Sequence, residues 1–455
     1  MHRQIVSSTP ISRGSPRWIR GFYLLALIAL QSVSSAVIKS PSDAPSDGVV
    51  LRTVGIPEER VTYEGSQVWR VSATEEQFEY LSYLQDTGDL TRWAGNATAV
   101  DVMVRPDDIP RVTRFLRERS VNYDVIIPDL QQAIDKENPL PSLESMEELE
   151  GRKGHRMEWS SYHRLDDITG YLDYLAQTFP DLCSVMTIGN SVEGRPLKVL
   201  RISNGNAKAP ALWIDGGIHA REWISPAAVT YIINYLVENS EELEEDYYIL
   251  PVVNPDGYEY TFRGDRLWRK NRANPEKGGV CIGADLNRNF GYRWGGQGAS
   301  KQPCREIFAG TGPFSEPETK AIESFFATSA ANFKAYLTFH SYGQYILYPW
   351  GYDKRVPPDY ADLERVGKQA AAAMKSAGGA GSVYTVGNSA SLLYPASGGA
   401  DDWAKAIHKI TYSYTIELRD QGRHGFILPA QYIIPTAKEA LAGVQVIAKA
   451  AKLDP

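Results

Sequence analysis

Short, continuous apolar runs alternate with helical stretches in the second half of the chain. The runs include Leu197–Ile202, Ala211–Asp215, Tyr247–Val253, Ala335–Phe339 and Thr411–Ile416. Runs of this length without polar alternation are typical of strands that are covered on both faces. The alternation therefore predicts a mixed or largely parallel sheet flanked by helices.

Capping residues predict where two of these helices begin. Ser225 is a predicted N-cap with Pro226 at the first helical position, and Ser315 with Glu318 predicts another start. The segments between the caps are therefore expected at strand ends and in loops.

A smaller unit of alternating elements lies upstream and predicts a small α+β domain. Its predicted elements are strands at Gln67–Val71, Val100–Val104 and Tyr123–Ile127, a helix opening at the capping box Thr74 and Gln77, and a helix near Ile109–Arg119.

The stretch from about Gln131 to Met157 gathers prolines, acidic residues and then a basic cluster, which predicts an exposed linker. In a secreted chain, such a cluster is also where a trypsin-like protease cuts. The candidate cleavage residues are Arg152, Lys153 and Arg156.

The N-terminus predicts secretion into the extracellular space. Four arginines precede the apolar run Phe22–Leu30, and small residues up to Ala36 follow, so residues 1–36 are predicted to be a signal peptide. A membrane anchor is disfavoured, because crossing a bilayer takes about 20 apolar residues and this run is roughly half that. We therefore expect no membrane association after signal removal.

Composition excludes some classes of protein but does not identify a function. At 455 residues, 43% apolar and 23% charged, the chain is long enough for two soluble folded units. A formal net charge of -7 argues against nucleic acid as a partner, because binding phosphates normally needs a basic surface. We expect a monomer.

Three cysteines and one sequon matter only if the chain is secreted. An oxidising compartment favours pairing two cysteines, and Cys281 with Cys304 closes the shorter loop, whereas Cys183 is predicted to be a buried free thiol. Asn96 is a candidate for N-linked glycosylation, since it begins the segment Asn96-Ala97-Thr98.

Two histidines and a glutamate follow predicted strands. The strand Ala211–Asp215 runs through two glycines into His219 and Glu222, and His340 ends the strand that begins at Ala335. A single His-x-x-Glu pair also occurs on solvated surfaces, but two histidines and one glutamate are a ligand set of catalytic zinc, with a fourth position left open. The pattern predicts one Zn²⁺ per chain.

From about Trp159 to its end, the chain resembles the pancreatic-type metallocarboxypeptidases, and the upstream unit is similar to their activation domain. The matching segments are His219–Glu222, Leu267–Lys270, Leu286–Phe290, His340–Tyr342, Tyr394–Gly399 and Glu417–Asp420. The resemblance implies a three-layer α/β sandwich with a mixed, largely parallel eight-stranded central sheet, preceded by a small α+β antiparallel-sheet activation domain. It also implies an activation propeptide at 37–156, folded at about 48–130, and a catalytic domain at 157–455.

The same resemblance assigns roles to individual residues. His219, Glu222 and His340 would be the zinc ligands, Glu417 the general base that activates the attacking water, and Arg269 the group that stabilises the oxyanion. The implied substrate-binding residues are Asn287, Arg288, Tyr394, Arg221, Ser341 and Tyr342. The substrates would be the C-termini of peptides or proteins.

Asp401 carries the prediction of specificity. Carboxypeptidase B relatives have aspartate at this position and carboxypeptidase A relatives an apolar residue, so release of C-terminal Lys or Arg is predicted. The alternatives are A-type specificity with an outward-facing Asp401, a non-catalytic peptide-binding relative, and a zinc-stabilised structural protein. Two departures from the family pattern are an extra residue between Trp403 and Glu417, and His424 in place of tyrosine.

Overall fold

The structure is a computed structural model that describes residues 60–95, 98–140, 147–148, 154–203, 205–206, 209–275 and 278–453. These residues belong to one compact unit, Pro57–Pro455. The predicted signal peptide, the sequon residue Asn96, and Arg152 and Lys153 lie outside the described residues. Within the described residues, no helix has the length and apolar character to cross a membrane.

The N-terminal domain is a four-stranded antiparallel sheet with two helices against it, which confirms the predicted α+β activation fold. The strands run in the order β2-β3-β1-β4. Its elements are β1 (Gln67–Ser72), α1 (Glu75–Asp86), β2 (Thr91–Gly95), β3 (Ala99–Val104), α2 (Ile109–Glu118) and β4 (Asn122–Ile127). The capping box between Thr74 and Gln77 is present as predicted, whereas β2 was not predicted.

A third helix, α3 (Leu130–Glu137), occupies the start of the stretch predicted to be an exposed linker, so that prediction is wrong here. Asp129 caps the helix by accepting a hydrogen bond from the backbone N–H of Gln132 (2.9 Å). Leu130 and Ile134, one turn apart, form an apolar face that packs in a cluster with residues of the larger domain.

The larger domain contains the predicted mixed eight-stranded sheet. The order is β11-β10-β12-β9-β7-β8-β6-β5, and the four central strands from β12 to β8 are parallel. The strands are β5 (Cys183–Asn190), β6 (Pro196–Ile202), β7 (Ala211–Asp215), β8 (Asp246–Leu250), β9 (Phe333–His340), β10 (Tyr345–Tyr348), β11 (Thr385–Asn388) and β12 (Tyr412–Glu417).

Helices cover both faces of this sheet and complete the three layers. They are α4 (Leu165–Thr178), α5 (Ile224–Glu238), α6 (Pro255–Arg263), α7 (Pro317–Thr328), α8 (Tyr360–Gly378), α9 (Ser389–Leu392), α10 (Ala400–Ile407) and α11 (Ile433–Leu453). Leu212 and Ile214 of β7 pack with α4, α5, α8 and α11, whereas Trp213 packs with α7 and α10 on the opposite face.

Both predicted helix starts are displaced. Helix α5 begins at Ile224 after Trp223, so Ser225 lies inside the helix, where its hydroxyl accepts from Gly217 N–H (3.0 Å) and donates to the Phe339 carbonyl (2.6 Å). Helix α7 begins at Pro317 with Glu316 at the N-cap. In the first case, the serine ties two strand ends together instead of capping the helix.

The cysteines are arranged as the sequence predicts. Cys281 and Cys304 form a disulfide with their Cα atoms 4.8 Å apart. Cys183 is a buried free thiol on β5.

Candidate active site

Three neighbouring parallel strands deliver the candidate residues to one edge of the sheet. His340 ends β9 and is in register with Glu417, which ends β12. Beyond β7, the chain turns through Gly217, which has a φ of +63° and where a Cβ would lie 2.9 Å from Pro226 Cγ. This turn requires glycine, and it carries His219 and Glu222 to the same edge.

His219, Glu222 and His340 are buried together, with their ligand atoms within 4.8 Å of one another. His219 Nδ1 lies 2.8 Å from Glu222 Oε1, and His340 Nδ1 lies 3.1 Å from Glu222 Oε2. The two Nδ1 atoms are 3.2 Å apart. Two imidazole nitrogens and a carboxylate therefore face a common point.

Asp285 orients this cluster and was missed in the sequence analysis. Its Oδ1 lies 3.1 Å from His219 Nε2, and its Oδ2 accepts from Arg269 Nη2 (2.8 Å). A carboxylate on the second nitrogen of a metal-binding histidine fixes the ring and its tautomer. The available signal was its position beside the matched segment Leu286–Phe290.

The donor set fits zinc. Two histidines and one glutamate are the ligands of catalytic zinc sites, and a carboxylate partner for a ligand histidine is typical of such sites. Within the described residues, this is the single group of histidine, cysteine and acidic side chains that could hold a metal. The zinc site of the chain is His219, Glu222 and His340.

The electrostatics of the cluster favour a cation. Burial raises the pKa of Glu222, but the charges and hydrogen bonds of His219 and His340 outweigh it and hold that pKa well below its usual range. Burial lowers the pKa of His340, but Glu222 outweighs it and raises that pKa to about 9. Since a ligand histidine must be neutral, zinc has to displace this proton when it binds.

A cavity of about 390 Å³ opens over the zinc site and joins most of the predicted residues. Besides the three ligands, its lining includes Arg269, Asn287, Arg288, Ser341, Tyr342, Tyr394, Asp401 and Glu417. Glu417 is partly exposed in this cavity, and burial raises its pKa to about 8. A carboxyl with a pKa near neutrality is suited to proton transfer.

Two of the arginines that line the cavity, Arg269 and Arg288, are held in place by hydrogen bonds. Arg269 donates to Asp285 through Nε and Nη2, at 3.1 and 2.8 Å. Arg288 donates to the carbonyls of Gly298 (2.9 Å) and Asn287 (2.8 Å), and its Nη2 makes no hydrogen bond within the described part of the chain. Both guanidinium groups are therefore preorganised to meet an anion.

Asp401 and Asp402 are adjacent and buried but differ in their partners. Asp402 accepts from the backbone N–H groups of Gly351 (2.7 Å) and Tyr352 (2.9 Å). Asp401 lines the cavity, and its Oδ2 has no hydrogen-bond partner among the described residues. Asp402 therefore holds the loop, whereas Asp401, a residue of the cavity lining, has a buried oxygen without a hydrogen-bond partner.

Arg221, a predicted substrate-binding residue, and His424, which stands in place of the family's tyrosine, lie apart from the cavity lining. Arg221 is buried beside it, where Nη1 donates to the Leu267 carbonyl and to Glu306 (3.2 Å each), and its guanidinium stacks 4.3 Å from the Phe426 ring. His424 packs near Tyr432, with the ring centroids 5.5 Å apart. Neither residue lines the cavity in this state.

The activation domain covers the mouth of the cavity through charged and polar contacts. Arg70 donates to both oxygens of Asp101 (2.8 Å each) and to the Gln421 carbonyl (2.7 Å). Asp101 also accepts from the Tyr342 hydroxyl (2.8 Å). Because Gly422 has no side chain, it permits this close approach: a Cβ there would collide with Arg70.

Two further contacts join the domains. The Arg92 guanidinium lies 4.8 Å from the centre of the Tyr394 ring. Glu137 of α3 forms a buried, two-pronged ion pair with Arg266, with N–O distances of 2.7 and 2.5 Å. Residues of the activation domain therefore engage Tyr342 and Tyr394, two of the predicted substrate-binding side chains.

Comparison with known proteins agrees with this geometry. A family model described as zinc carboxypeptidase matches residues 168–443, and one described as carboxypeptidase activation peptide matches residues 69–137. Carboxypeptidase B of Astacus astacus is 48% identical over 303 residues, which cover 65% of this chain and 99% of that protein.

Two other relatives match a larger share of the chain. Carboxypeptidase A4 of Mus musculus is 38% identical over 405 residues, covering 85% of this chain and 94% of that protein. The crystal structure of thrombin activatable fibrinolysis inhibitor superposes with a TM-score of 0.77 at 34% identity, covering 86% of this chain and 100% of that one. The fold, the zinc ligands and these matches show that the chain belongs to the zinc carboxypeptidase family, as a metallocarboxypeptidase zymogen with an activation peptide.

Proposed function

We propose that the chain is a secreted zymogen whose active form removes Lys or Arg from the C-terminus of peptides. The signal peptide would be residues 1–36, the activation propeptide 37–156 and the catalytic domain 157–455. A trypsin-like protease would cut in the basic cluster between the last two. The active enzyme would act as a monomer in the extracellular space.

In the proposed mechanism, Glu417 takes a proton from the attacking water and returns one to the leaving amine. Arg269, held by Asp285, offers its guanidinium to the oxyanion of the tetrahedral intermediate. Zinc, when bound by His219, Glu222 and His340, supplies Lewis-acid chemistry that polarises the carbonyl and acidifies water.

The free C-terminus of the substrate is recognised by a second group of residues in this proposal. Arg288 pairs with the terminal carboxylate through its unused Nη2, because a guanidinium matches a carboxylate in shape and charge. Asn287 and Tyr394 line the same cavity and complete this anion site. Arg221, Ser341 and Tyr342 bind the residues that precede the scissile bond.

The unpaired Oδ2 of Asp401 is the observation that carries the specificity proposal. Burial raises the pKa of Asp401, so an empty or apolar pocket leaves a costly polar group without a partner. A lysine or arginine side chain supplies the missing cation, whereas leucine or phenylalanine cannot. The relatives include both carboxypeptidase B and carboxypeptidase A4, so A-type specificity is the second candidate.

The test measures residue release from matched peptides ending in Arg, Lys, Leu or Phe, before and after limited trypsin treatment, with and without a chelator. Preferred release of Arg and Lys after trypsin, abolished by the chelator, is expected. Preferred release of Leu or Phe would reject the specificity and leave the enzyme class intact.

The Asp401→Asn variant separates the pocket from the rest of the site. We expect kcat/KM for Arg-ended peptides to fall roughly 100-fold or more, because the substrate cation loses a buried partner. Zinc content should not change. Asp173→Asn removes the same charge from a partly exposed residue of α4 and serves as the control. Equal losses in both variants would contradict the role of Asp401.

A further inference from the structure

We infer that Thr338 and Asp215 are positioning residues for the zinc ligand His340. In this arrangement, the Thr338 hydroxyl accepts a hydrogen bond from His340 Nε2 and turns its own proton to the Asp215 carboxylate. The inference concerns metal binding by the chain, so it does not depend on which C-terminal residue the enzyme releases. It gives His340 a counterpart of the support that Asp285 provides for His219.

Strand β9 places Thr338 beside the zinc ligand. Residues two apart in a strand point to the same face of the sheet, so Thr338 and His340 share a face. Thr338 Oγ1 lies 3.3 Å from His340 Nε2. The two residues are 0% and 1% exposed. The hydroxyl is therefore packed against the imidazole ring, away from the solvent.

The role of His340 as a zinc ligand fixes the direction of this hydrogen bond. Its Nδ1 lies 3.1 Å from Glu222 Oε2 and 3.2 Å from His219 Nδ1, so Nδ1 is the nitrogen that faces the metal position. A ligand nitrogen carries no proton, and the neutral ring therefore carries its proton on Nε2. Nε2 has to donate and the Thr338 oxygen accepts, which leaves the hydroxyl proton to be donated elsewhere.

Asp215 is the acceptor for that proton. It ends β7, in register with Thr338 on the neighbouring strand, and is 1% exposed. Its Oδ2 accepts from the Trp213 indole N–H (2.7 Å), whereas its buried Oδ1 has no hydrogen-bond partner in the part of the chain that the structure describes. Burial raises the pKa of Asp215, and Thr338 and Trp213 oppose this rise by stabilising the carboxylate. Rotation of the Thr338 hydroxyl gives Oδ1 a donor.

The two ligand histidines are thus supported by carboxylates in different ways. Asp285 Oδ1 lies 3.1 Å from His219 Nε2, whereas Asp215 acts on His340 through a hydroxyl. Hydrogen bonds to the second nitrogen of a ligand histidine fix the orientation of the ring and strengthen it as a ligand. An apolar side chain in place of Thr338 would leave the Nε2 proton and the Asp215 oxygen unpaired in a buried site.

The experiment measures the zinc affinity of the purified zymogen by competition with a chelator of known affinity. Thr338→Val keeps the shape of the side chain but removes the hydroxyl, and zinc affinity should fall roughly 10- to 100-fold. Thr338→Ser keeps the hydroxyl and should bind zinc as tightly as the wild type. Thr436→Val makes the same change in a fully buried threonine of α11, whose hydroxyl donates to the Tyr432 carbonyl (2.7 Å), and should leave zinc affinity unchanged. Wild-type affinity in Thr338→Val, or an equal loss in either of the other variants, would overturn the inference.

Melting temperatures separate positioning from a merely structural role. Both valine variants lose a buried hydrogen bond, so both should melt at a lower temperature than the wild type in the absence of metal. Zinc binds the folded state and raises the melting temperature by an amount that depends on affinity. This rise should be smaller in Thr338→Val and unchanged in Thr436→Val. Equal rises in the two variants would assign Thr338 a structural role only.

Asp215→Asn tests the far end of this arrangement and replaces Thr338→Val if that variant does not fold. If the amide oxygen keeps the Trp213 bond, an NH₂ group faces the Thr338 hydroxyl in place of an acceptor, and zinc affinity should fall roughly three- to tenfold. Asp256→Asn changes a fully buried acid of α6 outside the cavity and should leave zinc affinity unchanged. Unchanged affinity in Asp215→Asn, or the same loss in Asp256→Asn, would contradict the role of Asp215.

These measurements use the uncleaved zymogen and no peptide substrate. Failure of the activated enzyme to release arginine would therefore count against the proposed function and not against this inference.

Discussion

Two regions of this zymogen contain buried polar groups whose partners differ in origin. At the carboxyl edge of the large sheet, His219, Glu222 and His340 contact one another inside the catalytic domain. At the contact between the domains, Glu137 pairs with Arg266, and Asp101 accepts from Tyr342, each across the boundary.

This difference separates what activation changes from what it leaves alone. Removing the activation domain deprives Arg266 and Tyr342 of partners but, among the residues that the structure describes, removes no hydrogen-bond partner from a zinc ligand. A buried ion pair is favourable only while both members are present, since an unpaired buried charge has lost its hydration. The catalytic residues at the edge of the sheet are therefore assembled before activation, and the pairs between the domains hold the activation domain over the cavity.

The largest effect is expected at the zinc site. His340→Ala should lower kcat/KM about 1,000-fold or more in the activated enzyme, because loss of the metal removes several kcal/mol of transition-state stabilisation. Zinc content by mass spectrometry should fall in parallel. The activation domain should remain attached to the variant zymogen. His408→Ala, outside the cavity, is the control, and retained activity in His340→Ala would refute the ligand assignment.

A second experiment breaks the ion pair between Glu137 and Arg266, which joins the two domains. Glu137→Gln leaves Arg266 buried without its counter-charge, which costs about 3–5 kcal/mol. After trypsin cleavage, the activation domain should dissociate roughly 100- to 5,000-fold faster, as followed by size-exclusion chromatography and the appearance of activity. Asp135→Asn changes an exposed acid on the same helix and should leave the rate unchanged. Equal rates in both variants would show that this pair does not retain the domain.

A smaller effect is expected when Asp285 is replaced. In Asp285→Asn, His219 and Arg269 both lose a charged partner, and zinc affinity should fall roughly 10- to 100-fold. Competition with a chelator of known affinity measures the change, with Asp173→Asn as the matched control. Dissociation of the cleaved activation domain should be unaffected. A changed dissociation rate would show that the zinc site and the contact between the domains are not independent.

The smallest effect concerns a buried carboxyl that belongs to neither region. Glu318 accepts from Val192 N–H and Asn271 Nδ2 (3.1 Å each), and burial raises its pKa to about 7. Because the folded pKa lies above the ordinary value of 4.5, the folded form retains a proton that the unfolded chain gives up. The stabilisation is fully present below pH 4.5 and is lost as the pH rises through about 7.

Replacing Glu318 by glutamine tests this linkage. The melting temperature of the wild type relative to Glu318→Gln should fall by a few degrees between about pH 4.5 and 7, because the proton is worth at most about 3 kcal/mol. Above pH 7 the difference should be constant. Scanning fluorimetry at several pH values measures it, and a difference independent of pH would exclude titration of Glu318.

Much of the fold and the zinc site could be predicted because their signals are local. The apolar runs ending at Asp215 and Phe339 predicted strands, and the histidines that follow them predicted the ligands. Helix α3 was missed because the apolar face of Leu130 and Ile134 is short and lies among polar residues. The cap at Ser225 was misassigned because its hydroxyl bonds to Gly217, in the preceding turn, and to Phe339, which is distant in sequence.

The sequence by itself determined the alternation of strands and helices, the residue types of the zinc site and the presence of an acid at position 401. Only the tertiary structure decided that Asp285 supports both His219 and Arg269, that Glu137 meets Arg266, and that Asp401 rather than Asp402 has a buried oxygen without a hydrogen-bond partner. Strand and helix patterns depend on neighbours a few residues apart, whereas the partners of a buried charge are chosen by chain packing from anywhere in the sequence.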